Sequence, residues 1–358
     1  MMKAAVLHGI DDLRYEDVPT PIIKEGEALV KVKAAGVCGS DVPRIMKKGT
    51  YKFPLIPGHE FSGEVVELRQ NHKTKSLVNE VNTNGFKIGD RVAVIPLIPC
   101  LKCDYCQIGE YAQCDDYDYL GSRSDGGFAE YVKVPVCNLV IVPEKVDLIE
   151  ASLTEPAAVA LHALRRTGID AGDKVAILGA GPIGLMLAQW AKIVGAGRIF
   201  LVDIVEEKLQ FAQKLGFIDC INAKEKDAVE AIMDATDGKG VDVAIEGAGT
   251  AITFRQCIQV VRKLGKVIFM GNIETDVVLD AKTVSSILRK QIVMYGTWNS
   301  SFTSLPKNEW TTSLSFMNNG LNIKSLISHQ FPLERAKEAI EMMFHKNQFF
   351  NRVVFVFD

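Results

Sequence analysis

The stretch from Lys174 to Asp203, KVAILGAGPIGLMLAQWAKIVGAGRIFLVD, constrains the fold more than any other. An apolar run of strand type, Lys174 to Leu178, enters a turn carrying Gly179, Gly181 and Gly184. A helix-period segment follows from Leu185 to about Val194, and a second apolar run, Arg198 to Val202, ends on Asp203. The pattern is a strand–turn–helix–strand unit with G-x-G-x-x-G at the first junction and an acidic residue closing the second strand. Gly179 allows a tight turn, Gly181 lets the backbone approach a pyrophosphate, and Gly184 permits close helix–strand packing. Free N–H groups at the helix start, around Pro182 and Ile183, then face the phosphates. A carboxylate at Asp203 accepts hydrogen bonds from ribose hydroxyls and repels a 2′-phosphate, and residues 204–207 bring no arginine beside it. The unit therefore predicts a dinucleotide site with NAD preferred over NADP.

Strands and helices go on alternating after Asp203: a helix from Glu206 to Leu215, a strand near Cys220, a helix from Glu225 to Ala235 and a strand from Val241 to Glu246. A helix to about Lys263, a strand from Lys266 to Met270, a further helix and a strand from Gln291 to Tyr295 complete six strands of a doubly wound sheet. Small residues follow successive strands at Gly247, Gly271 and Thr297, where such a sheet holds its cofactor. Upstream, residues 1–37 alternate apolar and polar positions between turn residues, as in a β-rich domain. His8 there is expected at the surface or in packing. The polar run from Glu67 to Phe86, with His72, reads as a surface loop, followed by a strand over Asp90 to Ile95. The segment from about Asn299 to Asp358, with a helix around Leu333 to Phe344 and a strand from Arg352 to Phe357, is expected to return to the first domain. The expected domains are 1–156, completed by 299–358, and 157–298; a chain of 358 residues is long enough for two cores.

Cysteine usage adds a second constraint. Four of the eight cysteines, Cys100, Cys103, Cys106 and Cys114, form C-x2-C-x2-C-x7-C within fifteen residues. Four thiolates in one loop close a tetrahedral zinc shell with no position open for substrate, so the site reads as structural. An iron–sulfur cluster uses the same ligands but ranks behind zinc at this spacing. Cys137, Cys220 and Cys257 have no such grouping and read as core. Cys38, in Cys38-Gly39-Ser40-Asp41, and His59, in Gly58-His59-Glu60-Phe61, are of zinc-ligand type beside turn-forming glycines. By themselves a metal pair and two unrelated residues weigh about equally. Glu155 precedes Pro156 at a helix start, where a carboxylate favoured by the helix dipole is the simpler reading. His162 on that helix is expected to pack. A formal charge of −3 speaks against a nucleic-acid partner, and no apolar run reaches the roughly 20 residues that span a bilayer. A cytoplasmic protein is expected.

Together, GVCGSD, PGHEFSGEV, GDRV, the four-cysteine loop and the glycine-rich unit resemble the zinc-containing medium-chain alcohol and polyol dehydrogenases over essentially the whole chain. The resemblance implies a GroES-like β-barrel catalytic domain beside the Rossmann domain, two zinc ions per chain, and NAD. It implies a catalytic zinc on Cys38, His59 and Glu155, with Glu60 as an exchanging neighbour and Ser40 passing the substrate proton. Lys208 joins Asp203 in the implied cofactor site, and Thr297 with Trp298 lines the nicotinamide. Glutamate at 155, where many relatives have cysteine, is similar to the branch containing the sorbitol and galactitol-1-phosphate dehydrogenases. Many relatives carry a relay histidine where this chain has Pro43. The basic run Arg44, Lys47, Lys48 and Lys52 is either a sugar-phosphate site or a solvated loop. The implied activity is oxidation of a secondary alcohol on a polyol or polyol phosphate, galactitol-1-phosphate favoured, to a ketone. Sorbitol, xylitol, threonine or a vicinal diol is the alternative substrate, and an NAD-sensing zinc protein without turnover the alternative class. A homodimer or homotetramer is expected. Replacing Asp203 with alanine should lower the NAD-over-NADP ratio of kcat/KM, and an unchanged ratio would refute the role given to that carboxylate.

Overall fold

The computed structural model describes residues 1–69, 85–303 and 308–358; His72 and the centre of the loop around it lie outside the described residues. The chain divides into two compact units. The first comprises Met1–Ala158, Ser301–Asn319 and Leu326–Asp358, and the second Val159–Ser300 with Gly320–Ser325.

The first unit is built on a seven-stranded sheet. Its strands run in the order Ile327–Pro332, Arg352–Val356, Glu27–Gly36, Glu60–Arg69, Arg91–Val94 and Leu139–Ile141, and Tyr131–Pro135 also pairs with Glu27–Gly36. Period-2 burial puts Val30, Val32, Phe61 and Val65 into one core. Phe128 and Phe355 meet edge-to-face in that core, with centroids 4.8 Å apart. The last strand pairs antiparallel with Glu27–Gly36, setting Val354 opposite Gly36. This pairing carries Arg352 from the chain's end to the place where Cys38 leaves the sheet.

The second unit holds six parallel strands in the order Asp219–Asn222, Arg198–Asp203, Lys174–Leu178, Val241–Glu246, Val261–Phe269 and Val293–Gly296. Numbered along the chain this order is 3-2-1-4-5-6, with its switch point between Lys174–Leu178 and Val241–Glu246. The middle residues of the central strands are apolar on both faces because both are covered, as Ala176, Leu178, Val202 and Ala244 show. No helix among the described residues is long and apolar enough to cross a membrane.

Several boundaries differ from the sequence expectation, each for a local reason. The helix after the glycine turn begins at Pro182, three residues before Leu185, because Gly181 is the extended N-cap and proline suits the first helical position. The helix expected from Glu225 starts at Ala228, where the Asp227 side chain accepts from Val229 N and Glu230 N at 2.7 and 2.9 Å. The one expected to reach Lys263 ends at Val260, since Val261 turns extended and pairs with Val241. The strand expected from Gln291 starts at Val293, because Gln291 caps the preceding helix with φ 50°.

Gly179 adopts φ +121°, and a Cβ on Gly184 would run into the Gly179 carbonyl oxygen. The helix can lie this close to the strand end only with glycine there. Gly184→Ala should cost about 1–3 kcal/mol of stability through overpacking, read as a lower urea midpoint in circular dichroism.

Candidate active site and metal centres

Cys38 and Ser40 follow the strand Glu27–Gly36, while His59 and Glu60 stand at the start of Glu60–Arg69. Adjacent antiparallel strands thus bring residues about twenty positions apart into contact. One potential ligand atom from each of Cys38, His59 and Glu60 lies within 4.8 Å of the others. Ser40 is exposed, and its hydroxyl donates to Cys38 Sγ at 3.3 Å. Glu155, the second residue of the helix Thr154–Thr167, falls outside that group of three. It is nevertheless buried rather than a solvated cap, and its Oε1 accepts from the Tyr119 hydroxyl at 3.4 Å. Tyr119 in turn sets its ring edge-to-face on His59 at 5.8 Å.

Asp41 organises the first half of this cluster. It is fully buried, its Oδ2 accepts from Cys38 N at 3.2 Å, and its Oδ1 lies 3.2 Å from both Arg44 Nη1 and His59 Nδ1. His59 Nδ1 is buried and makes no hydrogen bond despite that approach. With Nδ1 turned to a carboxylate, Nε2 is the nitrogen left for a metal, the usual arrangement behind a ligating histidine. Burial disfavours a charged ring, but Asp41 and Cys38 outweigh it and lift the His59 pKa well above its ordinary value. Burial also raises the Glu155 carboxyl to about 7, with His59 pulling it down and Glu60 pushing it up. A thiol, an imidazole and carboxylates gathered in one buried place fit zinc.

Arg352 organises the other half. Its Nη1 donates to both Glu60 oxygens at 3.0 Å, and both side chains are buried. Sequence reasoning left Arg352, Asp41 and Tyr119 without a role. For Arg352 the signal was a charge opening an otherwise apolar strand, RVVFV. The basic run separates: Arg44 faces Asp41, whereas Lys47 and Lys52 are exposed.

The four remaining site cysteines form their own group, with Sγ atoms within 4.8 Å of one another and none in a disulfide. Cys100 and Cys106 sulfurs stand 4.0 Å apart. Tetrahedral zinc with Zn–S of about 2.3 Å needs sulfurs about 3.8 Å apart, so the group fits with little movement. Cys114 Sγ accepts from Cys100 N at 3.2 Å and Cys100 Sγ from Cys103 N at 3.4 Å. N–H donors lower the Cys100 pKa to about 6, that of Lys102 foremost, while burial pushes Cys106 to about 12. Of the other cysteines, Cys257 is buried and Cys137 and Cys220 are half-buried.

In the second unit, a Cβ on Gly181 would meet nothing within 4 Å, so the helix start is open to a ligand. Pro182 and Ile183 form the first turn there, half-buried. The Asp203 carboxylate accepts from Ala180 N at 2.9 Å, Ile204 N at 2.8 Å and Val205 N at 3.0 Å, and Lys208 Nζ lies 3.3 Å away. At the same sheet edge, Glu246 Oε1 accepts from Ala248 N and Gly249 N, which shapes the turn at Gly247. Gly271 leaves room for Glu246 Oε2, which is buried without a partner, as is Thr297 Oγ1. Open backbone and orphaned polar atoms along the carboxyl edge fit a dinucleotide. Trp298 is exposed.

Two family models match the chain: an alcohol dehydrogenase GroES-like domain over residues 24–144 and a zinc-binding dehydrogenase domain over residues 182–319. Sorbitol dehydrogenase of Bacillus subtilis is 34% identical over 347 residues, covering 95% of this chain and 93% of the relative. Galactitol 1-phosphate 5-dehydrogenase of Escherichia coli is 32% identical over 341 residues, covering 95% of each. The crystal structure of the E. coli galactitol-1-phosphate dehydrogenase superposes with a TM-score of 0.90 at 31% identity, covering 99% of this chain and 100% of the other. A zinc-binding dehydrogenase from Sinorhizobium meliloti, solved with NADP, gives 0.88 at 29% identity, covering 99% of each chain. With zinc in both groups, Cys106→Ser should lose one zinc per chain and Cys38→Ala the other. Atomic absorption on the purified variants reads this directly, and two zinc ions retained in either would contradict the assignment.

Proposed function

The chain belongs to the zinc-binding medium-chain alcohol dehydrogenase family, and on that premise we propose that it oxidises a secondary hydroxyl of a polyol phosphate, galactitol-1-phosphate favoured, to the ketone with NAD as acceptor. The observation that carries the reading is the buried gathering of Cys38, His59 and Glu60, with Glu155 beside it. Cys38, His59 and Glu155 would hold the catalytic zinc, with Glu60, tethered by Arg352, as the exchanging neighbour; Cys100, Cys103, Cys106 and Cys114 would hold the structural ion. When bound, zinc supplies a Lewis acid that acidifies the substrate hydroxyl, and the nicotinamide supplies the hydride acceptor.

The chain's own residues do the rest. Asp41 holds Cys38 and orients His59. Ser40, exposed and hydrogen-bonded to Cys38 Sγ, takes the hydroxyl proton and passes it to the ribose or to water. Pro43 offers no relay nitrogen, so the proton needs a route other than a histidine at that position. With NAD bound, the overall exchange would be one hydride to the acceptor and one proton to solvent for each ketone formed. The carboxylate of Asp203, kept in place by Lys208 and three backbone N–H groups, disfavours the 2′-phosphate of NADP. Gly179, Gly181, Gly184, Gly247, Gly271 and Thr297 line the cofactor's path. The likeness to sorbitol dehydrogenase supports a second reading, an unphosphorylated hexitol such as sorbitol.

Initial rates with galactitol-1-phosphate, galactitol and sorbitol, each with NAD and NADP, separate these readings. Turnover with NAD should be fastest on the phosphate ester and absent in folded Cys38→Ala. Full activity in that variant, or no NADH from any polyol, would refute the proposal.

A further inference from the structure

Arg123 is a cation held in place but left unspent. Its guanidinium carbon stands over the Tyr117 ring at 4.3 Å from the centroid and over the Tyr51 ring at 4.8 Å. Its side chain is half-buried and makes no hydrogen bond or ion pair among the described residues. The backbone around it is pinned: Arg123 N donates to Tyr119 O at 2.9 Å, and Thr50 Oγ1 donates to Ser122 O at 2.8 Å. Two aromatic faces therefore restrain the guanidinium while its N–H groups stay free to donate. Such a restrained fork suits a phosphate, because little freedom is left to lose on binding.

Its position relates it to the reacting centre. Tyr117 meets Tyr119 edge-to-face at 6.3 Å, and Tyr119 meets His59 at 5.8 Å and donates to Glu155 at 3.4 Å. Arg123 thus lies one aromatic ring outward from the tyrosine that touches the metal-site residues. The recess at Arg123, of about 600 Å³, is also lined by Lys102, Asp116, Asp118 and Cys100 of the four-cysteine loop. Asp118 Oδ1 is taken by Tyr119 N at 2.7 Å, and Asp116 and Lys102 are exposed. In the basic run, Arg44 faces Asp41, and Lys47 and Lys52 are exposed without, among the described residues, the aromatic clamp that restrains Arg123.

We propose that Arg123, clamped between Tyr51 and Tyr117, is the subsite that receives the phosphate monoester of the substrate and sets the preference for phosphorylated over free polyols. This rests on the polyol-oxidising reading above and specifies which polyols are taken. A phosphate at Arg123 would require the polyol chain to run past Tyr117 and Tyr119 for a distant hydroxyl to come to Cys38 and His59.

The test compares kcat/KM for galactitol-1-phosphate and galactitol in the zinc-loaded wild type, Arg123→Gln and Arg123→Lys. Arg123→Gln should lower the ester-to-alcohol ratio about 30-fold, mostly through KM for the ester, as expected for loss of charge-assisted hydrogen bonds. Arg123→Lys should restore part of the ratio. A packing role alone would lower both substrates together and leave the ratio unchanged, which overturns the proposal, as does a wild type that turns over galactitol without favouring the ester. If no polyol is oxidised at all, the polyol reading fails separately, and calorimetry with inorganic phosphate still decides the anion site. Binding heat in the wild type that is lost in Arg123→Gln supports it; equal heats, or none in either protein, overturn it.

Discussion

The burial of charge governs the architecture of the first unit. Asp41, Glu60, Glu155, His59 and Arg352 are all buried together, where an unpaired ion would cost several kcal/mol. Each carboxylate therefore has a partner: Asp41 has Cys38 N, His59 and Arg44, Glu60 has Arg352, and Glu155 has Tyr119. Cys38 and Arg44 are local to Asp41, but His59, Arg352 and Tyr119 come from other parts of the chain, and the folded unit brings them in. Arg352 reaches Glu60 across 292 residues only because the last strand pairs with Glu27–Gly36. A metal cation at Cys38 and His59 would complete the same balance by supplying positive charge where the carboxylates crowd.

The other two sites solve simpler versions of this problem. The four-cysteine loop gathers its ligands within a short span, and its backbone N–H groups already point at the sulfurs. The glycine turn needs no charged partner for a pyrophosphate, because the open helix start at Gly181 presents its own N–H groups. Asp203 is held by three backbone donors and by Lys208, so its position does not depend on a bound ribose. Local sequence suffices for both sites, which is why both were legible as patterns.

Legibility fell off with sequence distance. Helix and strand identities in the second unit followed from periodicity. Three of the misplaced boundaries lay at caps, Gly181 before Pro182, Asp227 before Ala228 and Gln291 in the left-handed conformation, while the fourth, at Val260, was set by the pairing of Val261 with Val241. Cap geometry depends on one or two dihedral angles that periodicity does not encode. At the zinc site, residue types alone left Cys38 with His59 an even choice and made Glu155 a helix cap. Tyr119 and Arg352 have no distinctive spacing from the groups they serve, and Asp41, though only three residues from Cys38, gave no sign in the sequence of its approach to His59. Arg123 belongs with them, since only the folded loop sets its guanidinium over Tyr51 and Tyr117.

By itself the sequence determined the dinucleotide unit from Lys174 to Asp203, the alternation that makes a parallel sheet, and the four-cysteine metal loop. In each of these the interacting groups lie within about thirty residues, so chain geometry alone brings them together. Tertiary structure alone decided which charges neutralise one another around Cys38 and His59, where Glu155 points, and which cation is left to meet a substrate. Those outcomes depend on strand pairing between remote segments and on burial, and neither has a signature in residue order.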